Sequence, residues 1–467
     1  MVTTKPRPSG RASIAKVQPL PDKTFIIDNG AYTMKAGYAS DTPIEDETIA
    51  MSACSIIPNA LVKTRENRVY IGSQINTHIA DCNELTFRRP VEKGYIVNWE
   101  AQKEIWEHSF LDDKTARSKE LRIVIPEETT LVLTEAPNAL PALQKNADEI
   151  VMEEWGFGGY LRCMGPSLNA WNEVQSVFGD PATQKYDSII SPRECLLVID
   201  SGYSHTTVTP LYKGQPLQRA IRRLDLGGKH LTNYLKEIVS MRQYNMVDEA
   251  YIMNQVKEAV CYVADDFVRD MEQTWKGNRK CGQLNPGDSV TVDFVLPDPN
   301  AGRKGFMRQH DPLLNAKKRK SALSGAGTET VSEDVLVLGN ERFTVPEILF
   351  TPSDIGMKQA GIRDMVLQSL SVLPTGLHAA FLANVLVVGG NSLIPGFMNR
   401  LETELREVAS AECTVRVRQP QDPIRYTWLG ASQLAANRTE FQKVAITRQE
   451  YQENGSSWTG RKFAGAL

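Results

Sequence analysis

Residues 194–210 read ECLLVIDSGYSHTTVTP, and this stretch decides the fold. An unbroken apolar run, too short for a core helix, ends in Asp200. Ser201 and Gly202 then supply a turn, and TTVTP returns as a second strand. The same events occur at 24–40, TFIIDNGAYTMKAGYAS: an apolar strand, Asp28, a bend at Gly30, and a returning strand that carries Lys35. Residues 383–397, ANVLVVGGNSLIPGF, give a third apolar strand, turning at Gly389 and Gly390. One Asp-x-Gly turn says little, since both residues are ordinary turn formers. Two in register say more: a pair of similar hairpins can clamp one polyphosphate between them. Backbone donors and Lys35 would meet phosphate, and the carboxylates of Asp28 and Asp200 would hold a hydrated magnesium ion through water.

Outward from these turns, the β-branched runs FIID, RVYIG, LRIVIP and TLVLTEA alternate with helical stretches such as WEAQKEIWEHSF (99–110), which is the texture of an α/β protein. Residues 206–228 read as a hairpin. Val256, Val260, Val263, Phe267 and Met271 recur at helical spacing and predict one long helix, and 361–373 predicts another. Residues 1–23, with Pro6, Pro8, Pro19, Pro21 and several basic side chains, predict a flexible arm. Residues 297–334 are rich in Gly, Pro, Ser and charge and predict a loop insertion, whose tetrad Lys317, Lys318, Arg319 and Lys320 resembles a nuclear-import signal.

Composition narrows the function classes. At 467 residues and 41% apolar content the chain can bury two or three cores. A net charge of −3 leaves no chain-wide field for nucleic acid, so any such contact must be local. No apolar run approaches the length of a membrane span, and the basic N-terminus lacks the apolar segment of a signal peptide, so a soluble intracellular protein is expected. The cysteines (54, 82, 163, 195, 261, 281, 413) are dispersed and read as reduced thiols. The histidines (78, 108, 205, 230, 310, 378) form no metal-binding spacing, and neither a P-loop nor a GxSxG turn appears.

The trio of turns resembles the actin superfamily, from Thr24 to about Tyr451. LVLTEAP (131–137), LDLGGKHLTNYL (224–235), VKEAVCYVADDF (256–267), LGNERFTVPEILFTPSDIGM (338–357) and ITRQEY (446–451) follow in the same order. TFRRPVEKGYIVNWEAQKEIW (86–106), FGGYLRC (157–163) and the insertion after FVLPDP are most similar to a nuclear class of actin-related proteins. The resemblance implies an actin-like two-lobed fold, with duplicated ribonuclease-H-like domains around a nucleotide cleft. The arm would span 1–23, and the first lobe 24–190 joined by 430–467. The second lobe would span 191–429, with the basic insertion at about 299–330. ATP or ADP with magnesium is the implied cofactor. Asp28, Gly30 and Lys35 would sit at the first phosphate loop, and Asp200 and Gly202 at the second. Lys257 and Glu258 would line the adenosine pocket, and Gly228, Gly389 and Gly390 would let the backbone approach the nucleotide.

The departures from actin matter as much. The glutamine that orients the attacking water in actin is replaced here by Gly165, the acidic residue of the second phosphate loop by Tyr203, and the assisting histidine by Thr207. A cleft that holds nucleotide without turnover follows, unless His205 compensates. Between Pro58 and Tyr70 the chain carries Lys63, Arg65, Glu66 and Arg68, where actin has an apolar loop that packs into the next subunit. Burying those charges without partners would cost several kcal/mol. The resemblance therefore implies a non-polymerising scaffold in a Swr-type chromatin remodeller that exchanges a histone variant into nucleosomes. It places the chain in the nucleus, with room for a cytoplasmic pool. Its expected partners are the other remodeller subunits and, through them, the nucleosome or histones. The basic loop is expected to make sequence-independent, salt-sensitive contact with DNA or an acidic partner. No membrane contact and no homopolymer are expected. The competing reading is an actin-fold ATPase, or an actin-like protein that assembles into filaments.

Overall fold

The computed structural model describes residues 19–40, 51–79, 84–116, 121–179, 194–274, 290–298, 302–311 and 333–464. Two sheets carry the architecture. In the first, β1 (Lys23–Asn29) pairs antiparallel with β2 (Thr33–Tyr38) on one side, and β2 with β3 (Ser55–Pro58). On its other side β1 runs parallel to β4 (Thr129–Glu135), and β4 to β5 (Gly159–Met164). In the second sheet, β6 (Cys195–Ser201) pairs antiparallel with β7 (Thr206–Tyr212) and parallel with β8 (Val385–Val388), which in turn pairs with β9 (Val417–Arg418). The short β10 (Ile446–Thr447) returns to close the edge of the first sheet against β5.

The apolar runs are unbroken because these strands are covered on both faces. Along β6 successive side chains alternate between cores, as a period of two requires. Leu197 and Ile199 join the core built with α1 (Gly228–Arg242) and α2 (Ala250–Val260), whereas Leu196 and Val198 pack with Tyr426 and Leu429. Phe25 and Ile27 of β1 sit in a separate core with Trp106, Trp428 and Phe441.

Both hairpins have one register. Asp28 lies opposite Lys35, and Asp200 lies opposite Thr207, seven residues on in each case. Each Asp also lies one residue before the end of a strand that has a parallel neighbour, at the end of an α/β sheet where ligands gather.

Four expectations are corrected. The long helix breaks after Val260. The amides of Tyr262 and Val263 donate instead to the carbonyls of Arg342 (3.0 Å) and Pro395 (2.8 Å), and a new helix, Phe267–Thr274, starts where Asp266 accepts from the Arg269 amide. The run LRIVIP forms no strand: Val124 is 68% exposed, and Pro126 opens a short 3-10 turn, Pro126–Glu128. The arm expected over 1–23 ends earlier, since Leu20 is buried in the first core. The expected insertion also loses its first part to regular structure. Phe306–Gln309 is a strand paired with Val292–Val295, and Arg303 and Arg308 both grip Glu333. The Lys317–Lys320 tetrad and residues 1–18 lie outside the described residues.

Candidate functional site

The two hairpin turns face each other across a cleft of about 600 Å³. Every residue expected from the sequence lines it: Asp28, Gly30 and Lys35 from the first hairpin, Asp200 and Gly202 from the second, Gly389 and Gly390 from the turn after β8, Gly228 at the start of α1, and Lys257 and Glu258 on α2.

The first turn is internally balanced. Lys35 Nζ lies 3.2 Å from Asp28 Oδ2, and the Thr134 hydroxyl donates to Asp28 Oδ1 at 2.8 Å. A β-carbon on Gly30 would meet the Thr33 carbonyl at 2.6 Å, so the tight bend requires glycine. The second turn is not balanced. Thr207 stands where a cation would face Asp200, and no described residue donates to the Asp200 carboxyl or forms an ion pair with it. Burial, followed by the negative charge of Asp28, pushes Asp200 up to about 6, against a smaller opposing pull from Lys35. Gly389 adopts φ +93°, and a β-carbon there would crowd the Ser201 carbonyl at 2.4 Å and Asp200 Oδ1 at 2.9 Å. By contrast nothing lies within 4 Å of a β-carbon on Gly390, and nothing nearer than 3.7 Å at Gly202. That leaves open room over the second turn.

Lys257 is not a solvated surface residue. It is 6% exposed, and its ammonium donates to Gly228 O, Thr232 Oγ1 and Asn254 Oδ1 at 3.3, 3.1 and 2.8 Å. Burial pushes its pKa down, with Glu258 opposing. Asn254 ties this pair together, since its Nδ2 donates to Glu258 at 2.7 Å and to the Tyr32 hydroxyl at 3.2 Å.

Gly165 lines the cleft at the start of a short helix, Gly165–Leu168, and presents no side chain. Thr207 is fully buried. His205 lines the cleft but packs tightly on Gly94, and burial, with Arg223 adding to it, holds the imidazole down to about 3. A neutral imidazole with so low a pKa is a poor proton acceptor near pH 7.

An adenine nucleotide with magnesium fits this donor set. The unbalanced Asp200 carboxyl and open glycine backbone suit a cation and an anion respectively. Among the described residues no cluster of three His, Cys, Asp or Glu could hold a metal ion. The same residues contain no helix long and apolar enough to cross a membrane.

Sequence reading missed Thr134, Asn254, Tyr32 and Arg89. Thr134 sits inside LTEAP, and Asn254 lies one helical turn before Glu258, so both had a local signal. Tyr32 and Arg89 had none.

The chain matches the family model described as Actin over residues 20–464. It is 75% identical over 468 aligned residues to an actin-like protein arp6 of Aspergillus fumigatus, with all of both chains covered. It is 49% identical to actin-related protein 6 of Neurospora crassa, covering 96% of this chain and 95% of that one. Identity to actin-related protein 6 of Drosophila melanogaster is 34%, covering 92% and 97%.

Proposed function

The chain belongs to the actin family, in its actin-related protein 6 branch, and from that premise we propose a non-polymerising scaffold that holds an adenine nucleotide structurally and serves as a subunit of a Swr-type, histone-exchanging chromatin remodeller in the nucleus. The observation that carries the nucleotide half is the pair of Asp-bearing hairpins in one register, facing one cleft, with only the first Asp neutralised. Asp28, Gly30 and Lys35 would engage phosphate at the first turn, and Asp200 and Gly202 at the second. Lys257, Glu258 and Gly228 would border the adenosine, with Gly389 and Gly390 beside the phosphates. Magnesium, when bound, would neutralise phosphate charge through water held by Asp28 and Asp200. The lobes are taken as 24–190 with 430–467, and 191–429.

Absence of turnover is supported by Gly165, by Thr207 and by the depressed His205. Absence of filaments is supported by the hairpin at 61–71. Its turn carries Arg65 and Arg68, 81% and 70% exposed and paired with Glu84 and Glu66, where a filament contact would need apolar surface. Purification from nuclei should recover the protein with remodeller subunits. Sedimentation with magnesium and ATP at micromolar protein should show a monomer, and a high-molecular-weight polymer would return the filament reading.

A further inference from the structure

The small sheet of the second lobe has two edges, and the fold treats them differently. Its middle strand, Val292–Val295, pairs antiparallel with Val335–Leu338 on one side and with Phe306–Gln309 on the other. The edge beyond Val335–Leu338 is closed. The side-chain amide of Gln243 donates to the Val337 carbonyl at 2.7 Å and accepts from the Val337 amide at 2.8 Å, the two bonds a neighbouring strand would make. Beyond Phe306–Gln309 no described strand follows, and every second residue of an edge strand turns its amide and carbonyl outward.

Burial follows the same asymmetry. Leu336, Phe294 and Met307 lie side by side across one face of this sheet and are 0%, 2% and 46% exposed. On the other face Val295 is fully buried, while Phe306 opposite it is 42% exposed. The apolar surface therefore runs on to the last strand and stops there uncovered. Natural sheets guard an open edge with lysine, proline or a covering segment. The strand here reads Phe306, Met307, Arg308, Gln309, and its one cation is already held by Glu333 at 2.9 Å and by Asp293 at 3.5 Å.

Charge beside the edge selects what can dock on it. Lys304 is exposed and has no carboxylate partner among the described residues, and over 303–320 the sequence holds seven lysines and arginines against Asp311 alone. Two copies of the chain would bring like charge together there, whereas an acidic segment would meet opposite charge.

We propose that the outer edge of Phe306–Gln309 is a docking site for an extended, acidic segment of a partner protein, which adds a strand to this sheet and sets its alternate apolar side chains beside Met307. Main-chain bonds supply the affinity and the side chains beside them the specificity. This rests on the scaffold reading above for the partner, and is independent of the nucleotide.

The test is amide hydrogen exchange of the full chain, free and within the remodeller purified from nuclei, for wild type, Met307→Lys and Met307→Leu. Residues 306–309 should exchange at least about tenfold more slowly in the assembly. A photoreactive phenylalanine analogue at position 306 should crosslink to a partner segment rich in Asp and Glu. Met307→Lys, which supplies the charge that guards natural edges, should lose both the protection and the crosslink at an unchanged melting temperature, and Met307→Leu should keep them. Gln309→Glu, which sets like charge against an acidic strand, should do the same as Met307→Lys and carries the test if that variant folds poorly. Unprotected amides at 306–309 in the assembly would overturn the proposal, as would a crosslink to a basic segment or to a second copy of the chain. If no remodeller subunit co-purifies, the scaffold reading fails separately. A fluorescein-labelled peptide of alternating valine and glutamate, titrated onto the free chain, then decides the edge: salt-sensitive binding that Met307→Lys abolishes supports the site, and no binding overturns it.

Discussion

The two hairpins share backbone geometry and differ in charge. In the first, Asp28 faces Lys35 across the ladder and accepts from Thr134, so the turn is complete within the protein. In the second, Asp200 faces Thr207 and is pushed up to about 6. A duplicated fold thus balances the charge of one turn within the protein and leaves the charge of the other to be balanced by a ligand. Removing the same group from each should have different consequences.

The largest effect follows from Asp28→Ala and Asp200→Ala compared side by side in thermal unfolding, with and without magnesium and ADP. Asp28→Ala strands Lys35, whose side chain is 14% exposed, and should destabilise even the ligand-free chain by about 1–3 kcal/mol. Asp200→Ala should leave the ligand-free melting temperature unchanged or higher, and should abolish the rise that ligand produces. Equal losses from both variants without ligand would erase the contrast.

A smaller effect concerns pH. The unfolded Asp200 carboxyl has an ordinary value near 3.8 and the folded one is raised, so the fold prefers the protonated form. The ligand-free chain should therefore lose stability, on the order of 2 kcal/mol, as pH rises from about 4 through 6. Magnesium-nucleotide affinity should move the opposite way and fall as pH drops through about 6, since metal binding needs the carboxylate. Asp200→Asn should flatten both profiles, measured by denaturant unfolding and by titration calorimetry.

Two further changes should do little. A β-carbon at Gly165 would meet nothing closer than Thr427 at 3.6 Å, so Gly165→Gln should fold. It should raise phosphate release less than roughly tenfold, because Tyr203, Thr207 and the weakly basic His205 remain. A large gain would mean that one positioning group was all the cleft lacked. Deleting residues 312–332 should leave the melting temperature and nucleotide binding unchanged while weakening nuclear accumulation or complex assembly. Unchanged import and co-purification would leave that segment without a role. A deletion from 299 is a different experiment, since it removes the Phe306–Gln309 strand, and it should destabilise the second lobe.

What was legible in the sequence was what local chemistry dictates. Apolar runs ending in Asp and Gly announced both turns, because a strand buried on two faces must be apolar throughout and a tight bend against a carbonyl must be glycine. The charge between Pro58 and Tyr70 was legible as well, although the hairpin that carries it, Leu61–Lys63 paired with Val69–Ile71, was not. The start of a second helix was present as Asp266, whose carboxylate accepts from the Arg269 amide, but the apolar spacing ran on through the break because Val263 and Phe267 are both apolar. LRIVIP has strand composition without a partner strand, and composition alone cannot supply one. The reading registered Tyr203 only as a missing acid. Its contact with Tyr32 and Arg89 joins segments more than one hundred residues apart, and no spacing rule reaches across two lobes.

The central claim is that the cleft retains nucleotide without consuming it. The direct measurement mixes nucleotide-depleted full-length protein with stoichiometric ATP and magnesium, then follows both bound nucleotide and its cleavage over hours by quenching and chromatography. The account predicts about one nucleotide bound per chain, dependent on magnesium and still almost entirely uncleaved at the end. Failure to bind, or cleavage at the rate of filamentous actin, would contradict it.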